Sequence, residues 1–278
     1  MRFRLLFVAR ITSLSILLSA CQPKPSPALP PQSPRAAAGG QTDTPKAEPS
    51  KAATALKGGS GYGVAPVANP GALVAKVLFT GDPIPEPLPV QVNIDVPHCG
   101  QKVFTENLLV DRETRGLKNV VVRLEGIARG KPQPETVTVI NKDCAFQPHV
   151  SVAVKGTKII LKNADPVLHT THPYLAGSSF FNLSLAAGDE PPPARPIPRA
   201  GLMEITCDVH KWMRGYMYVH TNPYIELTDR TGQLKIADIP PGKYPYVAWH
   251  ESLGEKHGEV EIVAGQSTHL TLEYSPPK

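Results

Sequence analysis

Val150-Ser151-Val152-Ala153-Val154-Lys155-Gly156-Thr157-Lys158-Ile159-Ile160-Leu161-Lys162-Asn163 decides the fold class of this chain. Alternation at Val150, Val152 and Val154, a turn glycine at 156 and the run Ile159-Ile160-Leu161 predict two β-strands joined by a tight turn. Similar alternating or β-branched segments recur at 71–79, 117–124, 136–141, 203–206, 216–220, 244–249 and 259–263. Turn signals such as Gly81-Asp82-Pro83 and Asp229-Arg230-Thr231-Gly232 punctuate them. No region sustains apolar spacing of three and four residues, and proline is scattered throughout, so no long helix is expected. The expectation is an all-β sandwich architecture.

Just after the deciding stretch, Asn163-Ala164-Asp165-Pro166 breaks the second strand and opens a loop predicted to carry His169. Further on, Cys207-Asp208-Val209-His210-Lys211-Trp212-Met213 sets a thiol, an imidazole and a thioether within seven residues. A loop this short can wrap one metal ion. Two His and one Cys in a trigonal array with a weak axial Met is a copper electron-transfer donor set. The loop holds three of those four groups, so a second His must arrive from elsewhere. His169 is the candidate; His172, three residues on, remains an alternative that spacing does not settle. Soft donors favour copper over zinc, although a His2Cys set also accepts zinc.

Taken together, these stretches resemble the cupredoxin family. The shared pattern is Phe146-x-Pro148, a valine strand, Gly156, a second strand, Asn163-x-Asp165, a histidine, and a Cys-His-Met loop near the domain's end. The loop spacing is that of the amicyanin branch, and the resemblance covers roughly residues 133–220. It implies a Greek-key β-sandwich holding copper, with His169 and His210 as imidazole ligands, Cys207 as thiolate and Met213 as axial thioether. It further implies one-electron transfer through the exposed edge of His210, flanked by Lys211 and Trp212. Lys211 departs from the usual apolar face and implies a partner of some acidic character, a cytochrome or dehydrogenase. Trp212 itself is expected in the core.

A second resemblance lies C-terminal. Residues 228–244, from Thr228-Asp229-Arg230-Thr231-Gly232 through Pro240-Pro241-Gly242-Lys243-Tyr244, resemble the carboxypeptidase regulatory-like sandwich, a scaffold without chemistry of its own. Residues 71–81 and 116–124 resemble that family's opening strands. The expected organisation is a regulatory-like sandwich split into 61–130 and 221–278, with the cupredoxin unit, 131–220, inserted between its halves. A Cys99–Cys144 disulfide would then staple the two and leave Cys207 free for metal.

At the other end, Met1-Arg2-Phe3-Arg4, an apolar stretch and Leu18-Ser19-Ala20-Cys21 resemble a bacterial lipoprotein leader, residues 1–20, with Cys21 as the lipidated residue. That resemblance implies an extracytoplasmic, periplasmic protein anchored by lipid to a membrane, with Gln22 favouring the outer membrane. Residues 21–60 form a Pro/Ala-rich linker lacking Phe, Tyr, Trp, Val and Ile, and cannot bury a core. Of the four cysteines, 21, 99, 144 and 207, lipidation removes one, and an oxidising compartment pairs two of the other three.

The net charge of +5 resides in the leader and linker, so the folded part is close to neutral and nucleic-acid binding is excluded. Trp249-His250-Glu251 has no Ser or Cys partner at a recognisable elbow and is expected to be a solvent-exposed strand end; His98 is expected to be structural. His149 lies on a strand that the family pattern does not use for metal. With no P-loop, dinucleotide glycine motif or paired-carboxylate signature, the chain reads as a carrier or binding protein rather than an enzyme. Two other functions fit the residues: copper storage or delivery, and a metal-free β-sandwich serving binding or adhesion.

Overall fold

The computed structural model describes residues 61–276. The leader, the linker and Cys21 lie outside them. The described residues belong to one compact unit. Apart from a four-residue helical turn, Val96–Cys99, their regular structure is all strand; besides two short two-stranded pairs it forms two β-sandwiches. Among the described residues no helix is long and apolar enough to cross a membrane.

One sandwich draws its strands from both ends of the described chain. Its four-stranded sheet runs, in spatial order, Ile225–Leu227, Val121–Leu124, Gly242–His250 and Gly254–Ile262. Facing it is a three-stranded sheet in which Gly71–Phe79 lies between Gln233–Ile239 and Ser267–Tyr274. Gly71–Phe79 buries every second residue, as a strand with one face on a core must. Leu73, Ala75 and Val77 thereby meet Leu234, Ile236, Val260 and Leu272 in one apolar cluster.

The other sandwich is built within residues 136–220. One sheet has the order Arg195–Pro196, Lys158–Asn163, Thr136–Lys142, Ala145–Gln147. Its partner sheet runs Ser178–Ser179, His169–Leu175, Gly201–Thr206, Arg214–His220, Val150–Val154, with Leu183–Leu185 also paired to His169–Leu175. The core between them holds Val139, Phe146, Ile159, Leu161, Met203, Ile205 and Met217.

The stretch that decided the fold class does something its pattern did not reveal. Val150–Val154 pairs in parallel with Arg214–His220, whereas Lys158–Asn163 pairs in parallel with Thr136–Lys142 in the opposite sheet. The tight turn therefore carries the chain across the sandwich instead of closing a hairpin. Gly156 makes this possible with φ +93, and Thr157 N donates to Val154 O at 2.9 Å to close the turn.

The alternating valines likewise do not face their own core. Val150 and Val152 point outward and pack with Val121, Ile225 and Trp249 of the other sandwich. Tyr216 and Tyr218 meet the Trp249 ring at 5.7 and 5.9 Å between centroids. Covered on both faces, residues 246–250 are all buried and their alternation disappears. His250 is only 1% exposed, and the Glu251 side chain 6%. The expectation that Trp249-His250-Glu251 would be an exposed strand end is thus corrected: the second sandwich covers Trp249, His149 of that sandwich bonds Glu251, and His250 lies beside Tyr274 of its own sandwich.

Candidate metal centre

Three polar side chains converge at one end of the 136–220 sandwich. His169 is the first residue of its strand rather than a loop residue, because pairing with Leu185 extends the ladder back to it. Asn163 organises the turn before it, donating through Nδ2 to Val167 O and Leu185 O and accepting from Asp165 N. Asp165 is thereby buried four residues before His169, and its Oδ2 lies 2.9 Å from His169 Nε2.

That carboxylate is heavily solvated by protein. Asp143 N and Cys144 N donate to it at 2.8 and 2.9 Å, and His98 Nε2 lies 3.1 Å from Oδ1. Burial alone would raise its pKa, but these donors together hold it below the ordinary carboxylate value. The pKa of His169 is lowered as well: burial, and secondarily the neighbouring His210, push it down despite Asp165, and this lowering favours the neutral ring. A neutral His169 that donates Nε2–H to Asp165 leaves Nδ1 as a bare lone pair. That atom is buried and has no hydrogen-bond partner.

Cys207 follows the strand Gly201–Thr206, is 2% exposed and is not in a disulfide. Its sulfur receives backbone N–H groups from Thr170 at 3.4 Å and His210 at 3.3 Å. His210, wholly buried, turns Nδ1 toward that sulfur at 3.8 Å. The donor atoms of His169, Cys207 and His210 all lie within 4.8 Å of one another. Met213 is buried in the same apolar cluster as Cys207, and its N–H donates to His210 O at 2.9 Å. The orphaned Nδ1, the free buried sulfur and the second Nδ1 form a donor set of the kind a soft metal such as copper requires. The residues therefore fit the group.

His172 does not join them. Three residues along a strand from His169, it faces the opposite side and bonds Ser179 Oγ at 2.9 Å. It also lies 3.4 Å from Asp208 Oδ2. Trp212, expected in the core, is only half-buried. Its Nε1–H donates to Cys144 O at 3.1 Å, and its ring centre lies 5.0 Å from that of His210.

The expected exposed edge of His210 is also corrected. His210 Nε2 lies 2.9 Å from Asp95 Oδ2, and the imidazole is fully covered. Asp95 stands in the left-handed region, φ 52, immediately before the turn Val96–Cys99, whose N–H groups at His98 and Cys99 bond Asp95 O. Cys99 and Cys144 form a disulfide with Cα atoms 5.6 Å apart, and this holds the turn against the site. Both imidazoles thus turn Nδ1 inward and give Nε2 to a carboxylate, the outer arrangement that fixes ring orientation at metal sites. Sequence reasoning assigned no role to either carboxylate. Asp165 had a signal, four residues before His169 in the Asn-x-Asp exit; Asp95, 115 residues from His210, had none beyond its nearness to Cys99.

No family model and no curated protein matches this chain. Among solved structures, it is similar to a copper-containing nitrite reductase from Thermus scotoductus SA-01, with 22% identity and TM-score 0.29 over 33% of this chain. Only 23% of that enzyme's length is spanned. A reduced amicyanin mutant matches with 16% identity and TM-score 0.27, over 31% of this chain and 82% of its own. A novel purple cupredoxin from Nitrosopumilus maritimus matches with 22% identity and TM-score 0.26, over 30% of this chain and 98% of its own.

Proposed function

We propose that this chain is an extracytoplasmic copper protein that transfers single electrons, tethered to a membrane by lipid at Cys21. One observation carries the reading: a buried, unpartnered His169 Nδ1 shares a pocket with the free Cys207 sulfur and His210 Nδ1. His169, Cys207 and His210 would hold the ion, with Met213 as the axial donor. Copper bound there supplies one-electron exchange between its two oxidation states. Asp165 and Asp95 fix the two rings, and the strands on which His169 and Cys207 are anchored limit movement between those states. In this reading the carboxypeptidase regulatory-like sandwich is a scaffold into which residues 131–220 are inserted, and a redox protein in the same compartment, a cytochrome or dehydrogenase, is the partner.

The cover that Asp95 places over His210 favours a second reading, copper storage or delivery, because it removes the edge through which such carriers exchange electrons. Addition of copper(II) to the soluble protein, beside a Cys207→Ser control, tests both. An intense thiolate-to-copper absorption band, lost in the control, is the expected result. A colourless protein with tight copper(I) binding turns the assignment to storage or delivery; no retained copper overturns both.

A further inference from the structure

Closed at His210, the centre comes near solvent elsewhere. Trp212 and Met213 of the metal loop help line a cleft of about 650 Å³, a size typical of small-molecule sites. Also lining it are Phe104, Tyr216, His149 and Glu251. Phe104 is 56% exposed, an aromatic face open to solvent. His149 Nε2 bonds Glu251 Oε1, and these side chains are only 10% and 6% exposed. Glu251 Oε2 and His149 Nδ1 make no hydrogen bond among the described residues. Tyr216 stands edge-on to His149 at 6.0 Å, and burial followed by the Glu251 charge raises its pKa, which keeps a neutral hydroxyl there. Lys102 and Arg214 are offset by Glu106, Asp143 and Glu251 around the lining, so the cleft offers no excess positive charge for an anion.

Aromatic surfaces beside a nearly buried carboxylate–imidazole pair match a flat ring bearing a hydroxyl that donates a hydrogen bond. We propose that the cleft binds a small uncharged aromatic alcohol of the hydroquinone class, its ring against Trp212 and Phe104 and one hydroxyl donating to Glu251. The assignment rests on the copper reading for its purpose, since a redox-active ring is the ligand that gives meaning to a cleft walled by Trp212 and Met213. Its test does not depend on copper.

Calorimetric titration of the metal-free full chain with hydroquinone under argon is the experiment, with 1,4-dimethoxybenzene and glucose as comparison ligands. Saturable one-to-one binding is expected, weakened about tenfold by Glu251→Gln through loss of one charged hydrogen bond, and weakened also by Phe104→Ala. Dimethoxybenzene, which cannot donate, should bind about tenfold more weakly than hydroquinone. Phe104 is at the surface, so its variant keeps the test open should Glu251→Gln not fold. Absent binding, equal binding of the two rings, indifference to Phe104→Ala, or preference for glucose overturns the assignment. Failure of the copper spectrum with hydroquinone binding intact sinks only the copper reading; the reverse sinks only the cleft.

Discussion

In the scaffold sandwich, buried polar side chains serve the main chain. Thr228 Oγ1 donates to Leu117 O and accepts from Val120 N, and Asn222 bridges Leu124 O and Tyr224 N. At the loop end of the other sandwich, buried polar groups serve one another: Asp165 holds His169, His210 leans on Cys207, and His169 Nδ1 is left with no partner. An orphaned buried donor or acceptor costs about 1–3 kcal/mol, so its surroundings reveal what it is for. The scaffold has one orphan as well, Asn119 Nδ2, on a residue with φ 66. Asparagine tolerates that conformation, which accounts for its presence. No such reason applies to His169, whose bare nitrogen shares its surroundings with the Cys207 sulfur and His210 Nδ1. Equal burial thus has two meanings, and the one unmatched by local structure marks the chemistry.

The staple between the two regions offers the largest way to break this contrast. The Cys99–Cys144 bond closes a loop of sequence separation 45, which corresponds to about 4 kcal/mol of chain entropy in the unfolded state. The Cys99→Ala/Cys144→Ala double variant should lose about that much in a denaturant titration of the metal-free protein, while its Cys207 stays unpaired. Unchanged stability would show that the turn Val96–Cys99 is held without the disulfide, and that the cover over His210 belongs to the sandwich packing itself.

A smaller effect sharpens the scaffold's side of the contrast. Burial, then the neighbouring His149, lowers the pKa of His250 from 6.5 to about 4. Ser252 N–H donates to its Nδ1 at 3.2 Å, which requires that nitrogen to be unprotonated. Because the folded state resists the proton that the unfolded state accepts, stability is constant above pH 6.5 and falls as pH drops from there toward 4. Two to three pKa units correspond to about 3 kcal/mol. His220, lowered by its own burial, acts with the same sign. Asp165, with its lowered value, acts only below the ordinary carboxylate range. Denaturant titrations at pH 7 and pH 4.5 should show the loss, and His250→Asn should flatten it; an unaltered slope in that variant would assign the acid sensitivity elsewhere.

Alternating or β-branched patterns were enough to read 71–79 and 244–249 as strands, which the structure forms as Gly71–Phe79 and Gly242–His250. They could not say which layer a face covers: Val150 and Val152 look like core residues of their own sandwich and instead touch Trp249 of the other. His169–Leu175 was hidden because His-Thr-Thr-His-Pro-Tyr-Leu has no apolar rhythm; its strand is set by pairing on both sides. Ser267–Tyr274 did carry a rhythm, at Leu270, Leu272 and Tyr274, and was passed over. At the site, the grouping of His169, Cys207 and His210 was legible because metal chemistry restricts residue type and loop spacing. Their carboxylate partners were not, because any acidic residue brought close by tertiary folding serves equally well.

Asp95 tests how far the two regions act as one site. It stands outside the 136–220 sandwich, yet its carboxylate fixes the ring of a donor inside it. Its side chain is 34% exposed, so removing it leaves no buried charge unpaired within the scaffold. Metal-free Asp95→Ala should nevertheless lose about 1–3 kcal/mol, because the wholly buried His210 Nε2–H is left without its acceptor. Copper(I) affinity, measured by competition with a chromophoric chelator, should fall 10- to 100-fold, about 1.4–2.7 kcal/mol, the usual consequence of losing a carboxylate behind a ligating histidine. Asp95→Asn, whose amide oxygen still accepts from Nε2–H, should recover part of the loss. Equal affinity in all three proteins would reduce the Asp95 contact to surface packing and return His210 to the control of its own loop.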